Sequence, residues 1–364
     1  MGINTENKNL KRIGIPRAIS YYNNYPFYFG FFKALGIDIV LSDKTTTKLI
    51  NQGSQCVVSD TCLPIKVFVG HVINLLDKGC DTIFVPAIQS SAYKVNNCSK
   101  IRGLPEIIRN VINRPFRMIE PTLDKTENIG FKDFCKQIAN EFDIYDESKI
   151  DSAIVEGWAV YNSFVKMTKS GLSFEEALNC SIEGHVITKN VEVVKPVSVV
   201  IMAHGYNLFD ERISMRLIKK LEKMGVKVYT GLNVTREDCV NSIHELDEIQ
   251  YWANELDLTG AAAYYMLHNK VDGIIALSAF GCGPDSLMVD EIQYHAQKRN
   301  MPMIHLTTDE HTGEAGFVTR IEAFVDMLVR RKRKMLENRN ILQLNAGVQK
   351  NKVRDEKILT TSQR

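Results

Sequence analysis

The chain has almost no charge excess: 45 lysines and arginines against 43 aspartates and glutamates leave a formal +2 over 364 residues. That balance gives no global attraction to nucleic acid or to an acidic membrane surface. No apolar run approaches the roughly 18–20 residues that span a bilayer, and the opening "MGINTENKNLKR" lacks an apolar signal segment. The expectation is a cytoplasmic protein with neither a membrane nor a nucleic acid as partner. None of the eight cysteines forms a CxxC pair, which excludes the local ligand pairs of zinc ribbons. A reducing compartment also makes a disulfide framework a poor account of them. A GxxxxGKS/T phosphate loop is missing, as is a GxGxxG at a strand-to-helix turn, so neither P-loop ATP hydrolysis nor dinucleotide binding is expected of the chain itself.

What is present is an ordinary globular composition, 45% apolar and 24% charged, in a chain long enough for two domains. Apolar strands alternate with helices in both halves. "RIGIPRA", "IDIVLS", "DTIFVPA" and "FRMIEP" read as strands in the first half, and "YPFYFGFFKALG", "KTTTKLINQG", "LPIKVFVGHVINLLDKG" and "LPEIIRNVI" as helices. In the second half "PVSVVIMAH", "VKVYTG", "DGIIALSAF" and "MPMIHLTTD" read as strands; "DERISMRLIKKLEKMG", with Asp210 as N-cap, reads as one of the helices. Such alternation predicts an α/β fold of two doubly wound parallel-sheet lobes. The expected boundaries are an N-terminal lobe over 12–121, a helical connector over 122–194, a C-terminal lobe over 195–335 and a disordered tail over 344–364. The "RRKRK" run at 330–334 is a solvated helix end favoured by the helix dipole rather than a nucleic-acid contact.

Ligands of doubly wound sheets sit beyond the carboxyl ends of the strands. Four loops are expected there: "SDTCLP", "PAIQSSAYKVNNCSK", "AHGYNLFD" and "AFGCGPD", three of which carry a cysteine. Cys62 stands at a helix entry, where free N–H groups and positive potential favour a thiolate. Cys98 follows a strand in a polar loop, and Cys282 lies between Gly281 and Gly283, which let backbone N–H groups approach sulfur. On residue types alone, separate core or surface cysteines explain the three as well as a shared metal does. Cys135 falls on an apolar helix face, Cys80 opens a buried strand, and Cys180 and Cys239 sit in helical segments. Cys56 reads as a strand cysteine, with a role as fourth ligand as the alternative.

The stretches "IGIPRAISYYNNYPFYFGFFKALGIDIVLS", "DTCLPIKVFVGHVINLLDKGCDTIFVP", "FGCGPDS" and "HLTTDEHTGEAGFVTRIEAFVDML" together resemble the activase-related branch of the 2-hydroxyacyl-CoA dehydratase family, relatives of its cluster-bearing subunits. The resemblance covers 12–118 and 196–330. It implies a 4Fe–4S cluster, or in one branch a double-cubane cluster, held by Cys62, Cys98 and Cys282. It also implies a separate ATP-dependent activase as electron donor, and a homologous second subunit or a homodimer as further partner. Three ligands would leave an open iron position for a thioester carbonyl; substrate, water or Cys56 would complete the set. Two departures stand out: Ser99 follows Cys98 where the family usually has proline, and Gly205 stands where it often has proline.

Other polar residues carry alternatives. His71 reads as a hydrogen-bonded helix histidine, or else as one facing the cleft. His204 ends a strand, and the backbone donors near Asp210 could meet an anion. "DEHTGE" (309–314) offers carboxylates and His311 for acid–base work, or solvated loop charges. Arg320 and Glu322 form a surface pair or shape the interlobe site. The leading expectation is an iron–sulfur redox protein; the alternatives are a non-catalytic assembly subunit with a structural cluster, and a zinc protein.

Overall fold

The computed structural model of the chain describes residues 11–92, 95–185, 195–246 and 252–361. The first half begins with β1 (Arg12–Ile15), α1 (Ser20–Leu35), β2 (Asp38–Leu41), α2 (Thr47–Cys56), α3 (Leu63–Asp77) and β3 (Thr82–Phe84). It continues through β4 (Ala87–Ala92), β5 (Val95–Asn96), α4 (Ser99–Arg102), α5 (Leu104–Val111), β6 (Arg117–Ile119) and β7 (Thr122–Asp124). Four of these strands form a parallel sheet in the order β2-β1-β3-β6. Strands buried on both faces must be apolar throughout, and Ile13, Ile15, Ile83 and Phe84 are; Phe31 and Phe32 of α1 and Phe68 of α3 join them in the core.

Three helices follow: α6 (Phe131–Asn140), α7 (Glu147–Lys169) and α8 (Phe174–Glu183). Asp146 caps α7 through the N–H groups of Ser148 and Lys149, and Ser173 with Glu176 forms a capping box on α8. α7 packs along α1, and its Trp158 meets the Phe27 ring at 5.1 Å.

The second half contains β8 (Val197–Met202), α9 (Gly205–Leu208), α10 (Leu217–Lys223), β9 (Val226–Thr230), α11 (Arg236–Leu246) and α12 (Ala253–Leu267). Then come β10 (Gly273–Ala279), α13 (Gly283–Lys298), β11 (Met303–Thr308) and α14 (Glu314–Thr361). Its sheet is also parallel, in the order β11-β10-β8-β9. The period of two sorts its residues cleanly. Val200, Met202, Ile274 and Ala276 face α12 and α13, whereas Val199, Ile201, Ile275 and Leu277 face Phe324 and Leu328 of α14. The strand order reverses between β8 and β10, the place where doubly wound sheets hold ligands.

The α/β architecture of two parallel sheets with helices between them is as the alternation predicts; four local features differ. The segment read as a loop before Cys98 is a third sheet, β5-β4-β7, with Ser90 opposite Asn96 and Ile88 opposite Leu123. Asp210 does not cap α10; it accepts the N–H groups of Arg212 and Ile213 in a turn. The helix proper waits until Met215 and Arg216 have passed through left-handed backbone at φ 49° and 56°. Cys56 ends a helix, not a strand, with its Sγ 3.4 Å from Gln52 O. Residues 344–361, read as tail, continue α14 as a proline-free run. The terminal 362–364 lie outside the described residues.

Candidate functional site

Cys62, Cys98 and Cys282 occupy the same position in three different helices: each is the N-cap residue, of α3, α4 and α13 respectively. The loop of Cys62 joins two helices rather than following a strand. Its position depends on how closely α2 and α3 approach, because a Cβ on Gly53 would stand 1.8 Å from Lys66 O. Lys66 Nζ then holds the loop by donating to Ser59 O at 2.9 Å. Cys98 is placed by the β4–β5 hairpin: Asn97 N donates to Gln89 O at 2.9 Å and Asn97 Nδ2 to Ile88 O at 2.9 Å. Cys282 leaves β10 through Gly281, whose φ of 75° suits glycine alone, and Ser286 Oγ donates to Cys282 O at 2.8 Å.

The three loops meet. Lys100 Nζ reaches Asp60 O at 3.4 Å, and a Cβ on Gly281 would lie 3.5 Å from the same oxygen. All three cysteines are free thiols; Cys62 is buried, and the other two are half-buried. Burial raises the pKa of each. For Cys282 the next causes are the charge of Asp285 and then the thiols of Cys62 and Cys98, so the three sulfurs sense one another. Cys98 is likewise raised by Cys62 after burial. In opposition, the backbone N–H groups of Ile65, of Ile101 and Lys100, and of Asp285 favour the thiolates, as does the Lys100 ammonium at Cys62. None of the three sulfurs makes an aligned capping hydrogen bond among the described residues, which leaves its lone pairs open.

The two halves are tied together around this point. Lys66 of α3 pairs with Glu310 beyond β11 at 2.6 Å, with side chains 5% and 16% exposed. Asp210 accepts from Tyr22 at 3.1 Å and also from Thr45, whose hydroxyl meets His71 Nε2 at 3.0 Å. His71 is therefore the hydrogen-bonded helix histidine, and burial drives its pKa down to about 3. A cleft of about 640 Å³ lies alongside, lined by Tyr22, Asn23, Asn97, His204 and Tyr206. Gly205 fits here because a Cβ would stand 2.7 Å from Asn23 Oδ1. A second cavity of about 650 Å³ carries Arg17, Lys44, Arg212 and Arg216 on its walls together with Glu175, Asp210, Glu211 and Glu314.

The remaining candidates separate. His311 is 86% exposed, while its neighbour Glu310 is the interlobe partner of Lys66. Arg320 donates to His305 O at 2.5 Å instead of pairing with Glu322. In the basic run, Lys332 pairs with Asp272 at 2.8 Å and Arg331 donates to Asn300 O at 2.5 Å. Cys135, Cys180, Cys239 and Cys80 are buried; among the first three, Cys135 and Cys239 have thiols raised to about 12, by burial first.

The residue types alone did not single out a buried trio. His204, at the N-terminus of α9, lies 2.7 Å from Asp285 Oδ1 and 3.4 Å from Glu255 Oε1. Burial disfavours the imidazolium, but Asp285 and then Glu255 outweigh it and push the His204 pKa up to about 10. The Tyr206 ring stacks on the imidazole at 4.8 Å. Asp285 was visible in "GCGPDS" and His204 in "AHGYN"; nothing in "ANELD" marked Glu255.

Residues 12–234 match the family model described as the CoA enzyme activase uncharacterised domain. Residues 260–328 match that of the 2-hydroxyglutaryl-CoA dehydratase D-component. No curated protein matches the chain significantly. Among the described residues no helix is long and apolar enough to cross a membrane.

Proposed function

Because the chain belongs to the CoA enzyme activase uncharacterised-domain family and carries a dehydratase D-component segment, we propose that it is an iron–sulfur redox protein. In this reading it accepts low-potential electrons from a separate ATP-dependent activase for the dehydration or reduction of a small CoA-thioester-type substrate. The observation that carries this is the convergence of Cys62, Cys98 and Cys282, three free thiols from three loops, each at a helix start and each within electrostatic reach of another.

The thiols suit a cluster better than a single zinc ion. Four ligands around one zinc at Zn–S distances of about 2.3 Å would bring sulfurs to roughly 4 Å of one another. Among the described residues the one trio with ligand atoms all within 4.8 Å is His204, Glu255 and Asp285, not the cysteines. A multi-iron cluster spreads its thiolates over several metal atoms. When bound, a 4Fe–4S cluster supplies one-electron chemistry at a potential tuned by hydrogen bonding and exposure. The chain's own part is to hold and orient: the three thiols as ligands, with nearby backbone N–H groups of Ile65, Ile101 and Asp285 favouring the thiolates. The cleft beside Tyr206 falls in the size range of small-molecule sites, about 300–1,000 Å³.

An electron donor has to approach closely. Val58 is 76%, Phe280 68% and Leu287 60% exposed, and they flank the loops of Cys62 and Cys282. Exposed apolar groups at that rim suit a protein partner.

Anaerobically isolated protein should be brown, with about four irons per chain for one 4Fe–4S cluster. Its absorption should bleach when activase and ATP are added together. Colourless protein, or bleaching that proceeds equally without ATP or activase, would overturn the reading.

A further inference from the structure

His204, Glu255 and Asp285 are 4%, 5% and 1% exposed, and they come from three separate elements of the second half. Their ligand-capable atoms all lie within 4.8 Å of one another. Two carboxylates and one imidazole leave a surplus of negative charge here whether or not the imidazole is protonated. No lysine or arginine forms an ion pair with either carboxylate among the described residues.

A second observation is independent of that cluster. His204 Nε2 and both carboxylate oxygens of Asp285 are sealed from solvent, and among the described residues none of the three makes a hydrogen bond. The 2.7 Å contact between Nε2 and Oδ1 is close enough for an ion pair but lacks the alignment of a hydrogen bond. Buried polar atoms are nearly always hydrogen-bonded, because an unsatisfied carboxylate loses its hydration without replacement. Buried ligand-capable atoms crowded within 4.8 Å of one another, in ion-pair contact yet without an aligned hydrogen bond, fit the spacing of ligands around an ion.

We propose that His204, Glu255 and Asp285 form a mononuclear site for a divalent transition-metal ion, distinct from the three thiols. One nitrogen and two carboxylate groups are borderline-to-hard donors, suited to Zn²⁺, Mn²⁺, Co²⁺ or Fe²⁺ and unlike the soft thiolate set nearby. The stacked Tyr206 ring fixes the imidazole plane, and the carboxylates sit on the first turns of α12 and α13, which are rigid supports. Asp285 stands one helical turn from Cys282. A divalent cation bound to it would cancel the negative field of the two carboxylates at that sulfur, coupling this ion to whatever the thiols hold.

The site is tested on the anaerobically isolated full-length protein. Elemental analysis should find one zinc, manganese or cobalt per chain; a chain isolated without one should take up one Mn²⁺ saturably. Mn²⁺ is the probe because thiolates bind it poorly, so the result does not depend on a cluster at the cysteines. Pulsed electron paramagnetic resonance of bound Mn²⁺ should show coupling to one imidazole nitrogen. His204→Gln and Asp285→Asn should each weaken Mn²⁺ binding at least tenfold, while Cys98→Ser leaves it unchanged. Neither a co-purified ion nor saturable Mn²⁺ uptake, or bound Mn²⁺ without nitrogen coupling in the unaltered protein, would overturn the proposal. A brown, ATP-responsive protein with no such ion would sink this site alone; an ion-loaded but colourless protein would sink only the cluster.

Discussion

Replacing Lys66 by methionine tests whether the two halves are clamped at the thiol loops. The Lys66 side chain is 5% exposed, and its ammonium bonds to Glu310 at 2.6 Å and to Ser59 O at 2.9 Å, both beside the site. Methionine keeps most of the stem's packing and removes the charge. Breaking a buried ion pair by removing one partner costs about 3–5 kcal/mol, because the other charge is left uncompensated. Glu310 retains 16% exposure, so water reaches it and the lower end, about 3 kcal/mol, is expected. Glu310→Gln should cost less, about 1–2 kcal/mol, since the amide oxygen still accepts from Lys66. In a double-mutant cycle followed by urea denaturation, the coupling should be about 2 kcal/mol. The pH dependence gives a second readout. Burial raises the Glu310 pKa, but Lys66 outweighs it and the net shift is downward. A carboxylate with a depressed folded pKa stabilises the fold above its ordinary range, and that contribution fades as pH falls through the folded value. Lys66→Met should flatten this acid-side slope. Additivity of the two single changes within about 0.5 kcal/mol would refute the clamp.

Four further outcomes are expected. Cys282→Ser should lose most of the iron that anaerobic protein retains, whereas Cys135→Ser, in the apolar core at 0% exposure, should keep it; equal iron contents would remove Cys282 from the ligand set. His71, buried with a pKa near 3, contributes stability fully present above its unfolded value of about 6.5 and lost as pH falls toward 3. His71→Gln should therefore make the urea midpoint less pH-dependent between about pH 6 and 4, and an unchanged slope would contradict the burial argument. Gly53→Ala forces α2 away from α3 and should lower stability by about 2 kcal/mol or more. Gly283→Ala, where an added Cβ meets nothing within 4 Å, should be neutral within about 0.5 kcal/mol; a reversed order would show that the α2–α3 contact does not hold the Cys62 loop.

The alternation of apolar strands and helices was enough to read two parallel sheets, because strands such as "VSVVIM" and "GIIALSA" are apolar on both faces and carry their own evidence of burial. The short third sheet was illegible for the opposite reason. "AIQSSA" and "TLD" are polar and brief, and they become strands through partners supplied by the surrounding fold. Asp210 read as a helix cap since Asp before a run of helix formers usually is one; the left-handed pair at Met215 and Arg216 moved the helix start downstream. The three thiol loops could be picked out by their cysteines and glycines. The trio of His204, Glu255 and Asp285 could not, because a glutamate in "ANELD" looks like any first-turn acid until its burial is known.

The N-cap positions of the three cysteines argue against an ordinary structural role for them. Serine, threonine, aspartate or asparagine at an N-cap satisfies free N–H groups and is worth about 1 kcal/mol. Cysteine in the same place forgoes that, and α3, α4 and α13 all lack an aligned side-chain cap. Core cysteines behave differently. Cys135 is raised to about 12 by burial alone, with no backbone N–H acting on its sulfur. At Cys62, Cys98 and Cys282 burial is opposed by helix-start N–H groups, while Asp285 or a neighbouring thiol raises each pKa further. This cradle draws each sulfur toward the thiolate without supplying enough positive charge to hold three thiolates together. Among the described residues Lys100 is the side-chain cation that acts on them, and it favours Cys62. A bound metal centre would supply the missing charge and make the unaligned caps useful, since lone pairs not committed to N–H groups can bind iron.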